Sequence, residues 1–473
     1  MSGAITIRTE QDVVDFIEGG RPTGARMRWI WILGLGGVFF EAYANAALST
    51  GLAPLTEQLR LTPGEVSLLA GSSMLVGLIL GPVAGFLADR LGRVPMLIAA
   101  KAVALLSAVL ATSATSYPLL VSGRALAGVA WAFDFAVVMA YLAEFLPIRH
   151  RSRLNRWQGI WYVATTFNLL LTVGIYQLGV GGSIWRWSLG SAGVIAVILG
   201  VLQVFLLSES PRWLASRGRM ERAARSLRQV YEVDVVAGAS PDVPAAGAPS
   251  GPSAGSSWAD FGQLVRGPYL RRTMLAVVTF YAQGLEYFAI GWYLPVISLR
   301  LFGEDFAAAT LGAALFNVFG IVGGFASGAL AQRFTIRRTM LIGFALVALV
   351  LIMLGALFDN IPLWLAFTLP ALFLLLHSGG PAPGGMSLAA AAYPSNLRAL
   401  GSGVTNMAGS TGAVTGLFVF PLVLDAFGPG TTIIIMAIVP LIGFATSVLI
   451  RWDPEHDPAV SNATPALTAK RVG

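Results

Sequence analysis

Five ionisable side chains interrupt apolar stretches of this chain, and their chemistry points to what the protein does. They are Glu41, Arg124, Asp134, Glu286 and His377. An ionisable group at the centre of a bilayer costs about 2.5–3.5 kcal/mol on insertion scales, so a group found there is a functional candidate. Carboxyl and imidazole groups can bind and release protons, and burial in a low-dielectric cavity can bring carboxyl titration into a useful range.

The spacing of Arg124 and Asp134 decides which partners they can have. Ten residues of helix separate them, which is about 15 Å along one face, so they cannot form a direct pair. Arg124 therefore needs an acid from another helix, and Glu41 is the candidate; a purely structural ion pair is the alternative. Asp134 lies in "AWAFDFAVV", which is typical of a cavity wall, although a solvated helix end also fits. Lys101 is expected to extend its amine to the cytoplasmic interface.

The elements that must position these residues are membrane-spanning helices. The 473 residues are 56% hydrophobic and only 12% charged, whereas soluble chains have about 25% charged residues. Continuous apolar stretches of about 18 residues or more are typical of transmembrane helices. Twelve are predicted, near 28–50, 65–88, 95–114, 118–145, 157–178, 185–207, 272–300, 305–331, 338–358, 362–391, 399–423 and 430–451. The expected fold class is an all-α membrane protein.

Polar segments divide the chain. The prediction is an N-terminal segment 1–27, a six-helix half 28–207, a central loop 208–271, a second six-helix half 272–451 and a tail 452–473. Thr9 as N-cap with Asp12 three residues later predicts a short amphipathic helix that ends at Gly19. The central loop begins with a basic helical pattern, and 237–257 is rich in Ala, Gly, Pro and Ser, which indicates a flexible linker.

Arginines indicate the orientation of the chain in the membrane. Nearly all loop arginines lie in the two termini, the central loop and the short loops on the same side, whereas the opposite loops hold only Arg60, Arg186 and Arg300. Because cytoplasmic loops are enriched in basic residues, both termini and the central loop are predicted to be cytoplasmic.

An internal repeat relates the two halves. "GFLADRLGRVPMLI" (85–98) aligns with "GALAQRFTIRRTMLI" (328–342), and each follows the second span of its half. Weaker similarities pair 141–151 with 390–400 and 208–212 with 453–457. Three similarities in register indicate two homologous halves of six helices. Gln332 in the second copy replaces Asp89, so the charge of this turn differs between the halves.

The first copy carries a specific resemblance. Gly85, Asp89, Arg90, Gly92 and Arg93 match the Gly-x-x-x-Asp-Arg-x-Gly-Arg signature of the major facilitator superfamily. The resemblance covers essentially the whole chain: "RALAG" (124–128) is similar to the fourth-span pattern of that superfamily. "SESPRWL" (208–214) and "YLAEFLPIRHRSR" resemble its sugar-porter branch, which includes aromatic-acid:proton symporters and organic-ion transporters. The implied fold has twelve transmembrane helices in two pseudo-symmetric six-helix halves.

The residue types of the turn between 85 and 93 indicate how it is held in place. Gly92 permits a tight reversal, and Asp89 can pair with Arg90 or Arg93 or cap a neighbouring helix. The resemblance implies that the turn acts as a cytoplasmic latch between the halves, and a static topology anchor is the alternative. The predicted latch residues are Gly85, Asp89, Arg90, Gly92, Arg93, Glu144, Arg333 and Arg337.

The resemblance also bears on proton coupling. Span one of aromatic-acid and related porters commonly has an acid-Gly-Tyr/Phe-acid pattern, and Glu41, Ala42, Tyr43 and Ala44 occupy those positions here. The first acid is present and the second is replaced by Ala44, which leaves open whether the usual coupling acid exists. The resemblance assigns the span-four arginine to proton coupling. The predicted proton-coupling residues are Glu41, Arg124 and Asp134.

Polar and aromatic residues of several spans are candidates for binding the solute. Aromatic side chains offer a ring face and a hydrogen bond, which suits a sugar or an aromatic acid equally. The candidates are Tyr43, Trp131, Trp161, Tyr162, Asn168, Tyr281, Gln283, Glu286, Tyr287, Asn317 and His377. In the sugar-porter branch span seven is often partly unwound, which Gly284 and Gly291 would permit. An interfacial aromatic belt is the alternative for Trp292 and Tyr293.

The tenth span contains "HSGGPAPGG", which begins at His377. This cluster of Gly and Pro cannot stay regularly helical, so the span should bend or unwind there. A gating or proton-binding role for His377 and a structural role are both open.

The function predicted from these patterns is secondary active transport of a small organic solute by alternating access, as proton symport. An uncoupled uniporter and a solute receptor are the alternatives. The chain has no Gly-x-x-x-x-Gly-Lys-Ser/Thr loop, no cysteine and three histidines, so neither ATP nor zinc chemistry is expected. We expect no cofactor and no enzyme activity. The expected partners are the solute, the proton and the lipid bilayer of the inner membrane, without nucleic acid, and the expected oligomeric state is a monomer.

Overall fold

The computed structural model describes residues 5–20, 22–147, 157–238, 262–303, 305–393 and 395–454. Its α-helices are α1 (Glu10–Glu18), α2 (Ala25–Leu59), α3 (Pro63–Leu91), α4 (Arg93–Thr112), α5 (Tyr117–Glu144), α6 (Trp157–Ile175), α7 (Ile184–Leu206), α8 (Pro211–Ser216), α9 (Met220–Tyr231), α10 (Gly267–Glu286), α11 (Leu294–Phe302), α12 (Phe306–Phe334), α13 (Ile336–Leu357), α14 (Leu363–Gly379), α15 (Pro381–Ala392), α16 (Ser395–Met436) and α17 (Ile438–Leu449). Two π-helical turns, Tyr176–Val180 and Tyr287–Gly291, two 3₁₀ turns, Gly181–Ser183 and Phe358–Asn360, and strands β1 (Ile5–Ile7) and β2 (Val235–Ala237) complete the described elements.

Ten helical stretches of the described ranges are long and apolar enough to cross a membrane. Two of them, Trp157–Leu206 and Leu400–Leu449, have 50 residues each. A helix of that length measures about 75 Å, whereas a bilayer core is about 30 Å thick. The first is broken by the irregular turns Tyr176–Val180 and Gly181–Ser183, and the second by Gly428 with φ of 74°. Each therefore contains two crossings, and the number of crossings agrees with the predicted twelve.

The chain forms two compact units. The first contains 1–47, 75–157 and 186–255, and the second contains 48–74, 158–185 and 256–473. Segments 48–74 and 158–185 of the predicted N-terminal half thus belong to the second unit. One reason is the Ser67 hydroxyl, which donates to the carbonyl of Phe418 over 2.8 Å. The predicted division into sequence segments stays a prediction.

The N-terminal segment packs on the start of the central loop in the first unit. The predicted helix at Thr9 is confirmed as α1: the Thr9 side chain accepts from Asp12 N, the Asp12 carboxylate accepts from Thr9 N, and Gly19 is the C-cap. α1 packs on α8, and an ion pair of 2.8 Å joins Glu18 to Arg212. The basic helical pattern is confirmed as α8 and α9.

A short parallel sheet was not predicted. β1 pairs with β2 in parallel, with Ile5 opposite Val235 and Ile7 opposite Ala237. The linker predicted for 237–257 is therefore wrong at its first residue, because Ala237 lies in β2. Most of that linker, the tail from 455 onward and the arginines of 149–156 lie outside the described residues.

In the second unit, α10 packs closely along α16. A Cβ added to Gly284 would lie 2.3 Å from the carbonyl oxygen of Gly409. The expectation that Gly284 permits unwinding is therefore wrong: this glycine allows the two helices to pack closely. The predicted irregularity of span seven is nevertheless present. It begins directly after α10, in the π-helical turn Tyr287–Gly291. There Gly291 accommodates the ring of Tyr287.

The internal repeat has a structural counterpart in each unit. In the first, the Glu209 carboxylate accepts from the backbone N–H groups of Arg93 and Val94, at 3.1 and 3.2 Å, where α4 begins. In the second, the Asp453 carboxylate accepts from the hydroxyl of Thr335, the N-cap of α13. Each loop that follows a six-helix half thus brings a carboxylate to the start of the third span of that half, where helix N–H groups favour negative charge.

Candidate functional site

The first unit holds a cluster of four buried ionisable side chains. Glu41 comes from α2, Lys101 from α4, and Arg124 and Asp134 from α5; each is at most 4% exposed. The Lys101 ammonium forms an ion pair with Asp134 Oδ2 and lies 4.8 Å from the centre of the Phe40 ring. Gly37 allows α2 to approach the cluster closely, because a Cβ at this position would lie only 3.3 Å from Asp134 Oδ1.

The expectation that Lys101 reaches the interface is wrong. Its side chain is 2% exposed and paired. The physical reason is that a buried carboxylate in the same unit offers the ammonium a partner, and a buried charge is tolerated when it is paired. The same finding excludes the solvated-end alternative for Asp134, which is fully buried.

The Asp134 carboxyl is close enough to Glu41 to act on it electrostatically. Glu41 Oε1 and Asp134 Oδ1 are both buried and have no hydrogen-bond partner among the described residues. A proton on either carboxyl would supply the missing donor between them. Electrostatic interactions also connect Glu41 with Lys101 and Arg124, which agrees with the predicted relation of Arg124 to an acid of another helix.

Two predicted solute-binding residues also belong to the first unit. Trp131 stacks on Phe135 at 5.0 Å, and Phe135 contacts Trp157 edge to face at 5.7 Å. Tyr43 shares a hydrogen bond of 2.6 Å with Ser191. These contacts build an aromatic surface on α5, while the Tyr43 hydroxyl is already used within the protein.

The second unit holds a different ionisable cluster. The imidazole Nδ1 of His377 lies 2.7 Å from Oε1 of Glu286, and both side chains are buried. The Tyr287 ring stacks on the imidazole at 5.4 Å. The Trp161 indole donates to the Tyr287 hydroxyl over 2.9 Å, and the Tyr162 ring meets Tyr287 edge to face at 5.9 Å. The structure thus brings together five of the predicted solute-binding residues.

The remaining predicted solute-binding residues are less concentrated. The Tyr281 hydroxyl donates to Thr415 over 3.3 Å, and Gln283 is half-buried on the same helix. The Asn168 carbonyl accepts from Thr50 over 2.8 Å, and the Asn317 amide donates to Ala313 within α12 over 2.8 Å. Both amides are therefore engaged by the protein itself.

The interfacial-belt alternative for Trp292 and Tyr293 is excluded. Trp292 is 4% and Tyr293 2% exposed, and the Tyr293 hydroxyl donates to the carbonyl of Leu417 over 2.9 Å. Their rings pack between helices of the second unit, where burial of aromatic area outweighs placement at an interface.

The helix break expected at the tenth span is confirmed. α14 ends at Gly379, and Gly380 has φ of −128° and ψ of −78° before α15 begins at Pro381. Proline lacks a backbone N–H and suits a first helical position, so it begins a new helix here. His377 lies in the last turn before the break.

The predicted latch residues form an ion-pair network in the first unit. Arg93 binds Asp89 at 2.6 Å and Glu144 at 2.8 Å. Glu209, which the prediction did not include, caps α4, a task that had been considered for Asp89. Burial raises the pKa of the Glu209 carboxyl above its ordinary value, and the backbone N–H groups of Ser210, Val94 and Arg93 oppose that shift.

Other members of the predicted latch lie apart from this network. Arg90 is exposed, with its guanidinium 4.2 Å from the Phe86 ring centre. In the second unit, Arg337 donates to the carbonyl of Ser447 over 2.9 Å, and Arg333 lies over the ring of Phe334. A Cβ added to Gly85 would meet nothing within 4 Å.

Replacement of Gly92 by alanine should destabilise the protein. Gly92 has φ of 113°, and a Cβ there would lie 2.5 Å from Glu209 Oε2. Because such a backbone conformation is nearly exclusive to glycine, Gly92→Ala should lower the free energy of unfolding by about 1–3 kcal/mol. Thermal unfolding in detergent measures this, with Gly85→Ala as the matched control that should unfold at the wild-type temperature or slightly above it. Equal unfolding temperatures for the two variants would contradict the prediction.

Comparison with known proteins extends these observations. Residues 41–450 match the family described as "Sugar (and other) transporter". The chain is 28% identical over 437 residues to the inner membrane metabolite transport protein YgcS of Escherichia coli (strain K12), covering 92% of this chain and 91% of that protein. It is 24% identical over 435 residues to the arabinose-proton symporter of Bacillus subtilis (strain 168), covering 88% and 90%.

The fold is also similar to solved structures. The xylose transporter XylE from E. coli, in a partially occluded inward-open conformation, superimposes with a TM-score of 0.73 at 16% identity, covering 92% of this chain and 100% of that one. Thus the predicted twelve-helix fold of the major facilitator superfamily and the predicted transport of a small organic solute are both confirmed. The family model spans most of the sequence, so this multi-pass membrane protein belongs to the sugar (and other) transporter family.

Proposed function

We propose that this chain moves a sugar or a similarly hydroxylated metabolite together with a proton, and that the Glu41 and Asp134 carboxyls hold the proton. The observation that carries the proposal is that both acids are buried and that Lys101 pairs with Asp134, while Glu41 Oε1 and Asp134 Oδ1 have no hydrogen-bond partner among the described residues. Two carboxylates this close are not both ionised at low cost, because like charges repel most strongly where water is excluded. One proton between them removes that repulsion.

Each cation of the cluster compensates the charge of a different acid. Lys101 forms an ion pair with Asp134, which compensates the negative charge of Asp134 in this structure. Glu41 interacts electrostatically with Arg124, which provides compensation when Glu41 is ionised. Glu41 is therefore the group whose charge can change during transport, and Asp134 is the group that accepts its proton in a hydrogen bond.

The chemistry of the second unit suits a hydroxylated solute. The rings of Tyr162, Tyr287 and Trp161 cluster in this unit, and sugars stack on aromatic ring faces. Gln283 adds an amide that can donate and accept. The substrates of similar proteins support the same class, since one relative is an arabinose-proton symporter and a structural neighbour is a proton:xylose symporter.

The membrane in which the protein lies, the side of its termini and its oligomeric state are inferred from the sequence and from similar proteins. We infer an inner-membrane location from the relative YgcS, described as an inner membrane protein. The arginine distribution supports cytoplasmic termini, and the presence of candidate proton and solute residues within one chain supports a functional monomer. The predicted cytoplasmic latch remains a proposal of the same kind.

Solute-driven proton movement in proteoliposomes tests the proposed function. A panel would contain D-xylose, L-arabinose, D-glucose, benzoate and choline, added outside vesicles loaded with a pH-sensitive dye. We expect a sugar to drive proton uptake, and benzoate and choline to drive none. Sugar flux without proton movement would favour the uniporter that Ala44 suggests, and sugar binding without any flux would favour a receptor. Either result would refute symport.

A further inference from the structure

The Glu286–His377 pair in the second unit is independent of the Glu41 cluster in its residues and helices. Glu286 ends α10 and His377 lies in the last turn of α14. Nδ1 of the imidazole is 2.7 Å from Oε1 of the carboxyl, and the side chains are 1% and 0% exposed. Ionisable residues buried inside a membrane protein are costly, so their presence calls for a role.

The second oxygen of the Glu286 carboxyl does not take part in the hydrogen bond to His377. Glu286 Oε2 is buried and has no hydrogen-bond partner among the described residues. A buried acceptor without a donor costs free energy, and a proton on the pair would reduce that cost. The pair is net negative when the imidazole is neutral and the carboxyl ionised, and uptake of one proton from water makes it neutral.

Within the described ranges, the charged side chain that acts on the Glu286 carboxyl is that of its partner His377. The titratable side chains facing it are Tyr162 of α6 and Tyr287 of the π-helical turn. On its own helix, His377 also stacks against Phe373 at 5.9 Å. The net charge at this place therefore depends on whether the Glu286–His377 pair has bound the additional proton.

Both residues lie where the helices depart from regular geometry. Glu286 directly precedes the π-helical turn Tyr287–Gly291, and His377 is three residues before Gly380 at the break between α14 and α15. Single π turns inside α-helices are frequent at functional sites. The hydrogen bond between Glu286 and His377 connects the π-helical turn to the break between α14 and α15. A change in the protonation of the pair would therefore act on two segments whose backbone is not held in regular helix.

We propose that Glu286 and His377 form a second proton-binding site of this transporter, contained in the second unit and distinct from the Glu41 cluster. The Tyr287 ring, stacked on the imidazole and hydrogen-bonded to Trp161, connects this site to the aromatic residues proposed to bind the solute. The site holds one proton, taken from and returned to water. Its role in transport rests on the proposed function, but its existence as a proton site does not.

Histidine NMR tests the site directly. The chain has three histidines, so the His150→Gln/His456→Gln double variant carries one ring-labelled histidine, His377. Both replaced residues lie outside the described ranges. We expect the His377 ring signal to move between about pH 5 and about pH 8, the range in which histidine changes its charge. We expect Glu286→Gln in that background to shift the midpoint by about one pH unit or more.

Two results would overturn the proposal. A ring signal that stays constant over the whole range would show a fixed structural hydrogen bond. An unchanged midpoint in Glu286→Gln would show that the carboxyl does not participate. The Glu41→Gln variant separates the two proposals: its His377 signal should still titrate, even if proton-coupled transport is lost or was never present.

The transport consequence is measured separately. In proteoliposomes, the reversal potential of sugar flux gives the number of protons moved per solute. We expect His377→Gln, whose amide can still donate to Glu286, to lower that ratio by one while flux persists. An unchanged ratio would refute participation of the pair in coupling, and the NMR titration decides independently whether the site binds a proton.

Discussion

Glu41→Gln should abolish proton coupling while leaving the exchange of solute across the membrane intact. A glutamine keeps the size and hydrogen bonding of the side chain but cannot release a proton, so the contact with Asp134 becomes a permanent amide–carboxylate hydrogen bond. Sugar-driven proton uptake should fall by at least about tenfold, because no group in the cluster can replace the titrating carboxyl of Glu41. Counterflow of radiolabelled sugar, which needs no net proton movement, should persist.

A matched control lies on the same helix. Glu57 of α2 is exposed, so Glu57→Gln makes the identical chemical change outside the buried cluster and should leave both assays at wild-type values. Ala44→Asp adds the acid that the resemblance would place one turn further. If proton uptake occurs only in Ala44→Asp and is absent from the wild type, the coupling acid is missing from this chain and the role given to Glu41 is wrong.

Lys101→Met should be among the most destabilising single substitutions in the first unit. It leaves Asp134 fully buried without its cation and next to a second carboxyl. Removal of one partner from a buried ion pair costs about 3–5 kcal/mol. Asp134→Asn, which leaves the ammonium buried instead, should have an effect of similar size. Thermal unfolding in detergent, combined with the yield of monodisperse protein, measures both.

The double variant Lys101→Met/Asp134→Leu distinguishes an unpaired charge from lost packing. Replacement of a buried ion pair by apolar residues of similar volume is often neutral or stabilising, so the double variant should recover most of the lost stability. It should still lack proton coupling, because Glu41 has lost its carboxyl partner. If both single variants unfold within about 1 kcal/mol of the wild type, the ion pair is not the stabilising contact that its burial suggests.

Much of the architecture could be predicted because the bilayer imposes strong rules on sequence. Apolar length indicates a crossing, and the capping pattern at Thr9 specified α1 together with its C-cap at Gly19. The break before Pro381 also followed from local chemistry, since a run of Gly and Pro cannot continue a helix. These features depend on neighbouring residues alone.

The features that were missed depend on partners distant in sequence. Lys101 resembled an interfacial lysine, and only the fold brings Asp134 to it. A signal was present: Lys101 is eight residues beyond the start of α4 at Arg93, about 12 Å into the helix, which is deep for an amine that must reach water. The cap by Glu209 and the pairing of β1 with β2 left no such signal, because a loop acid and three extended residues are common everywhere.

The parallel pairing of β1 and β2 also sets an order of events during synthesis. Ile5–Ile7 is synthesised before the first six spans, whereas its partner Val235–Ala237 is synthesised after them. At about 5–20 residues per second, that interval lasts roughly 12–46 seconds. This small sheet can therefore close only after all of the first six spans have been synthesised.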